Sequence, residues 1–144
     1  MLVVEDDQAL RRMLVRSLQT LGEVVGAGSV AEARAAMATR PPPTVIVTDV
    51  MMPGTSGIDF LRQLRVIPRT RTVPVVVLSA KGDPRSLVDA INAGARHYLI
   101  KPFATEQLLA KVERLLLRGP QTLAPPSPSD DLSLEIEVVV DETG

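Results

Sequence analysis

Short apolar runs alternate with stretches in which apolar residues recur every three to four positions, and the alternation repeats five times along the chain. Leu2-Val3-Val4 reads as a strand that stops in Glu5-Asp6-Asp7, with room for one or two further strand residues ahead of it. Leu10, Leu14, Ser17, Leu18 and Leu21 then fall on one side of a helix, Arg11, Arg12 and Arg16 on the other, and Gly22 ends it. Val24, Val25 and Ala27 predict a second strand, and Ser29 caps an Ala-rich helix from Val30 to about Arg40. Pro41-Pro42-Pro43 forbids helix and leads into Val45-Ile46-Val47-Thr48-Asp49, an apolar strand ending on a carboxylate. A Pro53-Gly54 turn follows. Ile58, Leu61 and Leu64 are spaced for a third helix, and Pro68 to Thr72 for a loop. Val75-Val76-Val77-Leu78 is apolar throughout, as a central strand covered on both faces would be. Asp83-Pro84 supplies a cap and a first-turn proline for a fourth helix carrying Leu87, Ala90 and Ile91 and ended by Gly94. Tyr98-Leu99-Ile100 is a fifth strand. Thr105 caps a last helix with a stripe of Leu108, Leu109, Val112, Leu115 and Leu116, stopped by Gly119-Pro120.

Five strands alternating with five helices predict an α/β fold, a doubly wound parallel sheet with helices on both faces and right-handed crossovers. Residues 1–118 form that domain, and 119–131, rich in Pro, Ser and Asp, form a linker. In residues 132–144, Leu132, Leu134, Ile136 and Val138 alternate with Ser133, Glu135 and Glu137. This is a strand signal with nothing left in the chain to pair with, either a tail or the start of a truncated output domain.

Composition narrows the function. In 144 residues there are two Phe, one Tyr and no Trp, so the core is aliphatic. A net charge of −1 argues against a nucleic-acid-binding surface in this chain. The absence of Cys excludes disulfides, zinc thiolate sites and thiol catalysis, and fits a reducing cytoplasm. No apolar run reaches the roughly 18 residues that cross a membrane, and no secretory signal opens the chain.

In a parallel sheet the carboxyl ends of the strands gather at one edge, where ligands bind. Here they deliver Glu5, Asp6 and Asp7 after the first strand, Asp49 after the third, the Ser79 hydroxyl after the fourth and the Lys101 ammonium after the fifth. Clustered carboxylates repel one another unless a cation neutralises them. Oxygen ligands alone suit a hard ion, Mg²⁺ with Mn²⁺ as the alternative. The lone His97 is a poor ligand candidate and reads as a partly exposed strand-edge residue. A carboxylate nucleophile, a divalent ion, a hydroxyl and a lysine form the parts of a phosphoryl-transfer site.

With Val-Val-Glu-Asp-Asp after the first strand, Asp-Val-Met-Met-Pro-Gly around Asp49, Leu-Ser-Ala-Lys after the fourth and Tyr-Leu-Ile-Lys-Pro-Phe at the fifth, the chain resembles the receiver domains of two-component response regulators from Leu2 to about Arg118. The resemblance implies a flavodoxin-like fold with strand order 2-1-3-4-5. It implies Asp49 as phosphoacceptor, Asp6 as a direct Mg²⁺ ligand beside Asp49, Glu5 as a ligand through water, and the backbone carbonyl of Met51 as a third protein ligand. Asp7 then falls outside the acidic pair. Ser79 matches the hydroxyl that holds a phosphoryl oxygen, Tyr98 the aromatic that swings inward behind it, and Lys101 the lysine that joins Pro102 through a cis bond. Phosphorylation would exchange one negative charge for roughly two. It would thereby switch the surface of the fourth helix, fifth strand and fifth helix between two arrangements. Met51 and Lys81 flank the path of an attacking water in this family and tune the lifetime of the phosphoryl group.

Other phosphate chemistries lack their motifs. There is no G-x-x-x-x-G-K-[ST] loop, no Gly-rich turn after the first strand, and Met51 stands where a haloacid-dehalogenase-like phosphatase needs a second Asp. The chain is therefore expected to be a signalling switch rather than an enzyme with a substrate of its own. The alternative is an atypical receiver that signals by protein contact without phosphorylation. The implied partners are a sensor histidine kinase or phosphotransfer protein, a second copy on phosphorylation, and DNA only through an output domain outside this chain. Arg11, Arg12 and Arg16 could serve as a kinase-docking face or as a solvated helix face. Arg96 and His97 stand where winged-helix regulators usually carry the acidic residues that help pair two receivers.

Overall fold

The computed structural model describes residues 1–52, 54–80 and 84–120, together with the backbone of 137–140. The elements alternate as β1 (Leu2–Val4), α1 (Gln8–Leu18), β2 (Val25–Ala27), α2 (Val30–Ala38), β3 (Ile46–Asp49), α3 (Gly57–Val66), β4 (Val75–Ala80), α4 (Pro84–Asn92), β5 (His97–Lys101), α5 (Thr105–Arg118) and β6 (Glu137–Val140). All strand pairs are parallel, in the order β2-β1-β3-β4-β5-β6. The first five strands and the five helices thus take the expected order.

Strand periodicity sends alternate side chains to opposite faces, and each face builds its own core. Val4, Ile46, Val77 and Tyr98 pack with Ile58, Phe60 and Leu61 of α3 and Ala90 of α4. Val3, Val47, Leu78 and Leu99 pack with Leu14 and Leu18 of α1 and Leu108 and Val112 of α5. The central strands are apolar on both faces because both are covered.

Local chemistry sets most helix starts. Asp7 caps α1, its carboxylate accepting from the N–H of Ala9 at 3.0 Å and Leu10 at 3.2 Å. Ser29 and Ser56 accept from Glu32 and Asp59 in the same way, each at 3.1 Å. Such caps contribute about 1 kcal/mol each. The fifth helix differs from expectation: Ala104 is the capping position and Thr105 the first helical residue. The N–H of Ala104 is met by the side chain of Gln107 at 3.0 Å and the N–H of Gln107 by the Ala104 carbonyl at 3.0 Å, so the first turn closes without a cap hydroxyl.

Two further expectations are corrected. His97 is 3% exposed, because β6 lies beyond β5 and leaves it inside the sheet. The strand signal near the carboxyl end does find a partner: residues 137–140 pair with His97 to Ile100. Residues 121–131 of the expected 119–131 linker, residues 132–136 and 141–144 of the tail, the Pro53 turn position, Lys81 and the Asp83 cap lie outside the described residues.

Candidate functional site

The carboxyl edge of the sheet gathers the residues that the sequence placed there. Carboxylate oxygens of Glu5, Asp6 and Asp49 lie within 4.8 Å of one another. Glu5 and Asp49 are buried and Asp6 is exposed, so the cluster is open to solvent on one side. The Lys101 ammonium reaches it from β5, 3.1 Å from Glu5 Oε1 and 3.1 Å from Asp49 Oδ1. One cation thus bridges the ends of β1 and β3, 96 residues away in the case of Glu5.

The electrostatics show how incomplete that neutralisation is. Burial pushes the Asp49 carboxyl above its usual range, although Lys101 and the Val50 N–H pull it down. Glu5 is likewise raised, first by burial and then by neighbouring acids, against the pull of the Asp7 N–H and Lys101. Burial alone would lower the Lys101 ammonium, but Asp49 and Glu5 outweigh it and hold it above the usual lysine value. Two buried carboxylates share one lysine, and a third lies beside them at the rim. The residual negative charge and the all-oxygen donor set fit a hard divalent cation held by Asp6 and Asp49, with Glu5 behind them.

Backbone interactions hold the constellation. The Glu5 N–H donates to Ala27 O at 2.9 Å and the Arg11 guanidinium donates to Glu5 O at 2.8 Å. Arg11 therefore positions the acidic loop, while Arg12 and Arg16 remain exposed on α1. Val50 N–H donates to Leu78 O, which ties the loop after Asp49 to β4. Gly57 sits so close beneath Asp49 that an added Cβ would stand 1.9 Å from the Asp49 carbonyl oxygen. Sequence reasoning missed Gly57, since no spacing rule distinguishes a glycine needed for close approach from one that merely starts a helix.

The remaining expected residues are placed as follows. Ser79 is buried near the end of β4, its hydroxyl donating to Ala80 O at 3.3 Å. Tyr98 is 1% exposed, so the aromatic expected to swing inward already lies within the core. Met51 follows β3 and is 68% exposed, two residues after Asp49. The Lys101–Pro102 peptide is cis, as the resemblance implied. Arg65, also missed, lies at the other edge of the sheet and donates to the carbonyls of Arg71 at 3.1 Å, Val73 at 2.8 Å and Gly94 at 3.1 Å.

Comparison with known proteins agrees with this geometry. Residues 1–113 match the family described as response regulator receiver domain. The phosphate regulon transcriptional regulatory protein PhoB of Rhizobium meliloti is 34% identical over 139 residues, covering 94% of this chain and 60% of its own length. The KDP operon transcriptional regulatory protein KdpE of Escherichia coli is 39% identical over 125 residues, covering 86% of this chain and 54% of its own. The chain therefore spans little more than half the length of these curated relatives. Among solved structures, a response regulator from Chloroflexus aurantiacus superposes with a TM-score of 0.75 at 34% identity, covering 81% of this chain and 96% of that one.

Proposed function

The chain belongs to the response regulator receiver family of two-component systems, and from that premise we propose that Asp49 accepts a phosphoryl group from a histidine kinase or phosphotransfer protein. The observation that carries the proposal is the Lys101 ammonium, 3.1 Å from both Glu5 and Asp49 in a cluster of three carboxylates. A structural ion pair would need one carboxylate; here the surplus charge marks a place for a divalent cation.

In this mechanism an Asp49 carboxylate oxygen attacks the phosphorus of the donor, a P–O bond forms, and the bond from phosphorus to the phosphohistidine nitrogen breaks. Asp6, Asp49 and the Met51 carbonyl would hold Mg²⁺ or Mn²⁺, with Glu5 acting through water, and the bound ion would neutralise charge on the phosphoryl oxygens. Lys101 exchanges a carboxylate for a phosphoryl oxygen, and the Ser79 hydroxyl turns from Ala80 O toward another. The loop after β4 follows Ser79, and Tyr98, already buried, holds the new packing. The surface of α4, β5 and α5 is thereby shifted between two populations.

The protein is thus a switch that assists its own phosphorylation and has no other substrate, working in the cytoplasm, where its kinase presents phosphohistidine. No helix among the described residues is long and apolar enough to cross a membrane. The relatives' names speak of transcription, and their extra length is room for an output domain. DNA contact would belong to that domain, with residues 119–131 as linker and 132–144 at its start.

Intact mass after incubation with acetyl phosphate and Mg²⁺ tests the site. The expected result is a gain of one phosphoryl group that is lost in Asp49→Ala and with a chelator. A folded protein that gains nothing would make it a receiver that signals by contact alone.

A further inference from the structure

One side of the sheet ends in β2, and no strand among the described residues pairs with its outer edge. Successive residues of a strand turn their N–H and C=O groups to opposite sides. The Val25 N–H donates to Met1 O and the Ala27 carbonyl accepts from the Glu5 N–H, both at 2.9 Å, so these two residues face β1. Gly26, between them, therefore turns its N–H and its C=O outward. The next outward N–H, that of Gly28, is already met by the Glu32 carboxylate. Gly26 is left exposed, with neither backbone group partnered among the described residues.

Beside that edge lies a groove of about 260 Å³, walled by Arg11, Arg12, Val15, Arg16 and Gln19 of α1 and floored by Gly26. Glycine keeps it open: an added Cβ would stand 3.0 Å from Val15 Cγ2 and 3.4 Å from Arg11 Cγ. Arg11 is committed elsewhere, since its guanidinium donates to Glu5 O. Arg12 and Arg16 are exposed, and neither guanidinium has an acidic or carbonyl partner among the described residues. They stand one helical turn apart, so two unneutralised charges line the groove together.

We propose that this groove takes an extended acidic segment of a partner protein, added to the sheet as a strand beside β2. Two features select that occupant. Gly26 offers a donor and an acceptor together, which suits a peptide backbone; a free anion would be drawn to the N–H and repelled by the C=O beside it. On an added strand the side chain in register with Gly26 shares its face and points toward α1, where Arg12 and Arg16 pair with a carboxylate. A second copy fits less well. Setting β2 against β2 in one continuous sheet would bring the same arginines of both copies together, and like charges repel. The inference does not depend on Asp49 accepting a phosphoryl group.

The probe is a seven-residue peptide of alternating glutamate and valine, capped at both ends, titrated into the whole chain and followed by amide NMR. The expected result is a set of shifts centred on Gly26, Arg12 and Arg16, with a Kd on the order of 1 mM at low salt. The Gly26 amide should exchange with solvent about threefold more slowly at saturation. Arg12→Ala/Arg16→Ala removes two exposed side chains and leaves the core intact, and should weaken binding about tenfold. A peptide of equal charge, N-methylated at every backbone nitrogen, should bind at least about fivefold more weakly. No binding, binding that survives loss of both arginines, or equal binding of the N-methylated peptide would overturn the proposal. So would inorganic pyrophosphate displacing the peptide at a lower concentration than the peptide's own Kd, which would make the groove an anion site. Protection of Gly26 that rises with protein concentration and needs no peptide would put a second copy there, and would overturn it equally.

Discussion

Two cations are drawn into this small fold at opposite edges of the same sheet, and they are treated differently. Lys101, at the carboxyl edge, faces ionised carboxylates and has its affinity for the proton raised by them. Arg65, at the amino edge, faces three neutral backbone carbonyls, and burial lowers its pKa to about 10. Carbonyls cannot leave, change charge or take up a phosphoryl group, so the Arg65 contact has one arrangement. It closes the turns that lead into β4 and β5. Lys101 faces carboxylates, and on the proposed reading one of them takes up a phosphoryl group, which would give its contact a second arrangement. The difference teaches that a buried cation becomes part of a switch through its partners' chemistry, not through its own burial.

The largest expected effect would break the carboxyl-edge half. Lys101→Met should cut phosphoryl uptake from acetyl phosphate by about two orders of magnitude, the size of effect associated with losing one electrostatic stabiliser. Intact mass against time reads it, and a rate within threefold of the original chain would remove Lys101 from the chemistry. Next comes the other edge. Arg65→Met leaves the Arg71, Val73 and Gly94 carbonyls without a charged donor, which should cost about 2–4 kcal/mol and lower Tm by roughly 10 °C. Uptake measured well below that Tm should stay within a factor of about 2; if a folded Arg65→Met protein lost uptake, the contrast between the edges would fail.

Gly57→Ala sharpens the comparison, because it disturbs the carboxyl edge without altering charge. A methyl group driven against the Asp49 carbonyl should cost about 1–3 kcal/mol and slow uptake at the same time. Denaturant melts beside the mass assay would show both losses, and a silent substitution would mean the backbone yields freely. The pH dependence is smaller. A carboxyl whose folded pKa is raised binds more protons folded than unfolded, so stability falls as pH rises through the window between the ordinary and the raised value. Without Mg²⁺ the original chain should therefore lose stability as pH rises through that window, and Asp49→Asn should lose less and be the more stable at neutral pH. Melts from pH 4 to 7.5 check the crossover; parallel curves would deny that Asp49 is held under electrostatic stress. The smallest effect sets the baseline. Arg62 pairs with Asp59 at 3.0 Å, but both are more than half exposed, so Arg62→Ala should change stability by less than about 0.5 kcal/mol.

Legibility from sequence followed the same division. The carboxyl edge could be read because each of its groups ends a strand, and strand ends converge wherever a sheet is parallel. Arg65 could not, because its partners are main-chain carbonyls, which every residue type supplies and no pattern marks. A hydroxyl at Thr105 suits a cap position, but the cap lies one residue earlier at Ala104, whose N–H is met by the side chain of Gln107. With no partner for the segment after the linker, β5 would be an edge strand and His97 partly exposed; one added strand encloses it.

The periodicities of 2 and 3.6 residues, with the Gly and Pro stops, determined the five alternating strand–helix units and the acidic, hydroxyl and ammonium groups at the strand ends. Those are local properties, fixed by which side chains an element can bury. Only the tertiary structure decided that Lys101 bridges Glu5 and Asp49, that Gly57 must lack a Cβ, that Arg65 closes the opposite edge, and that residues 137–140 join β5. Each of these depends on a distance that no local pattern of residues marks, and those distances are set by how two apolar cores close on the sheet.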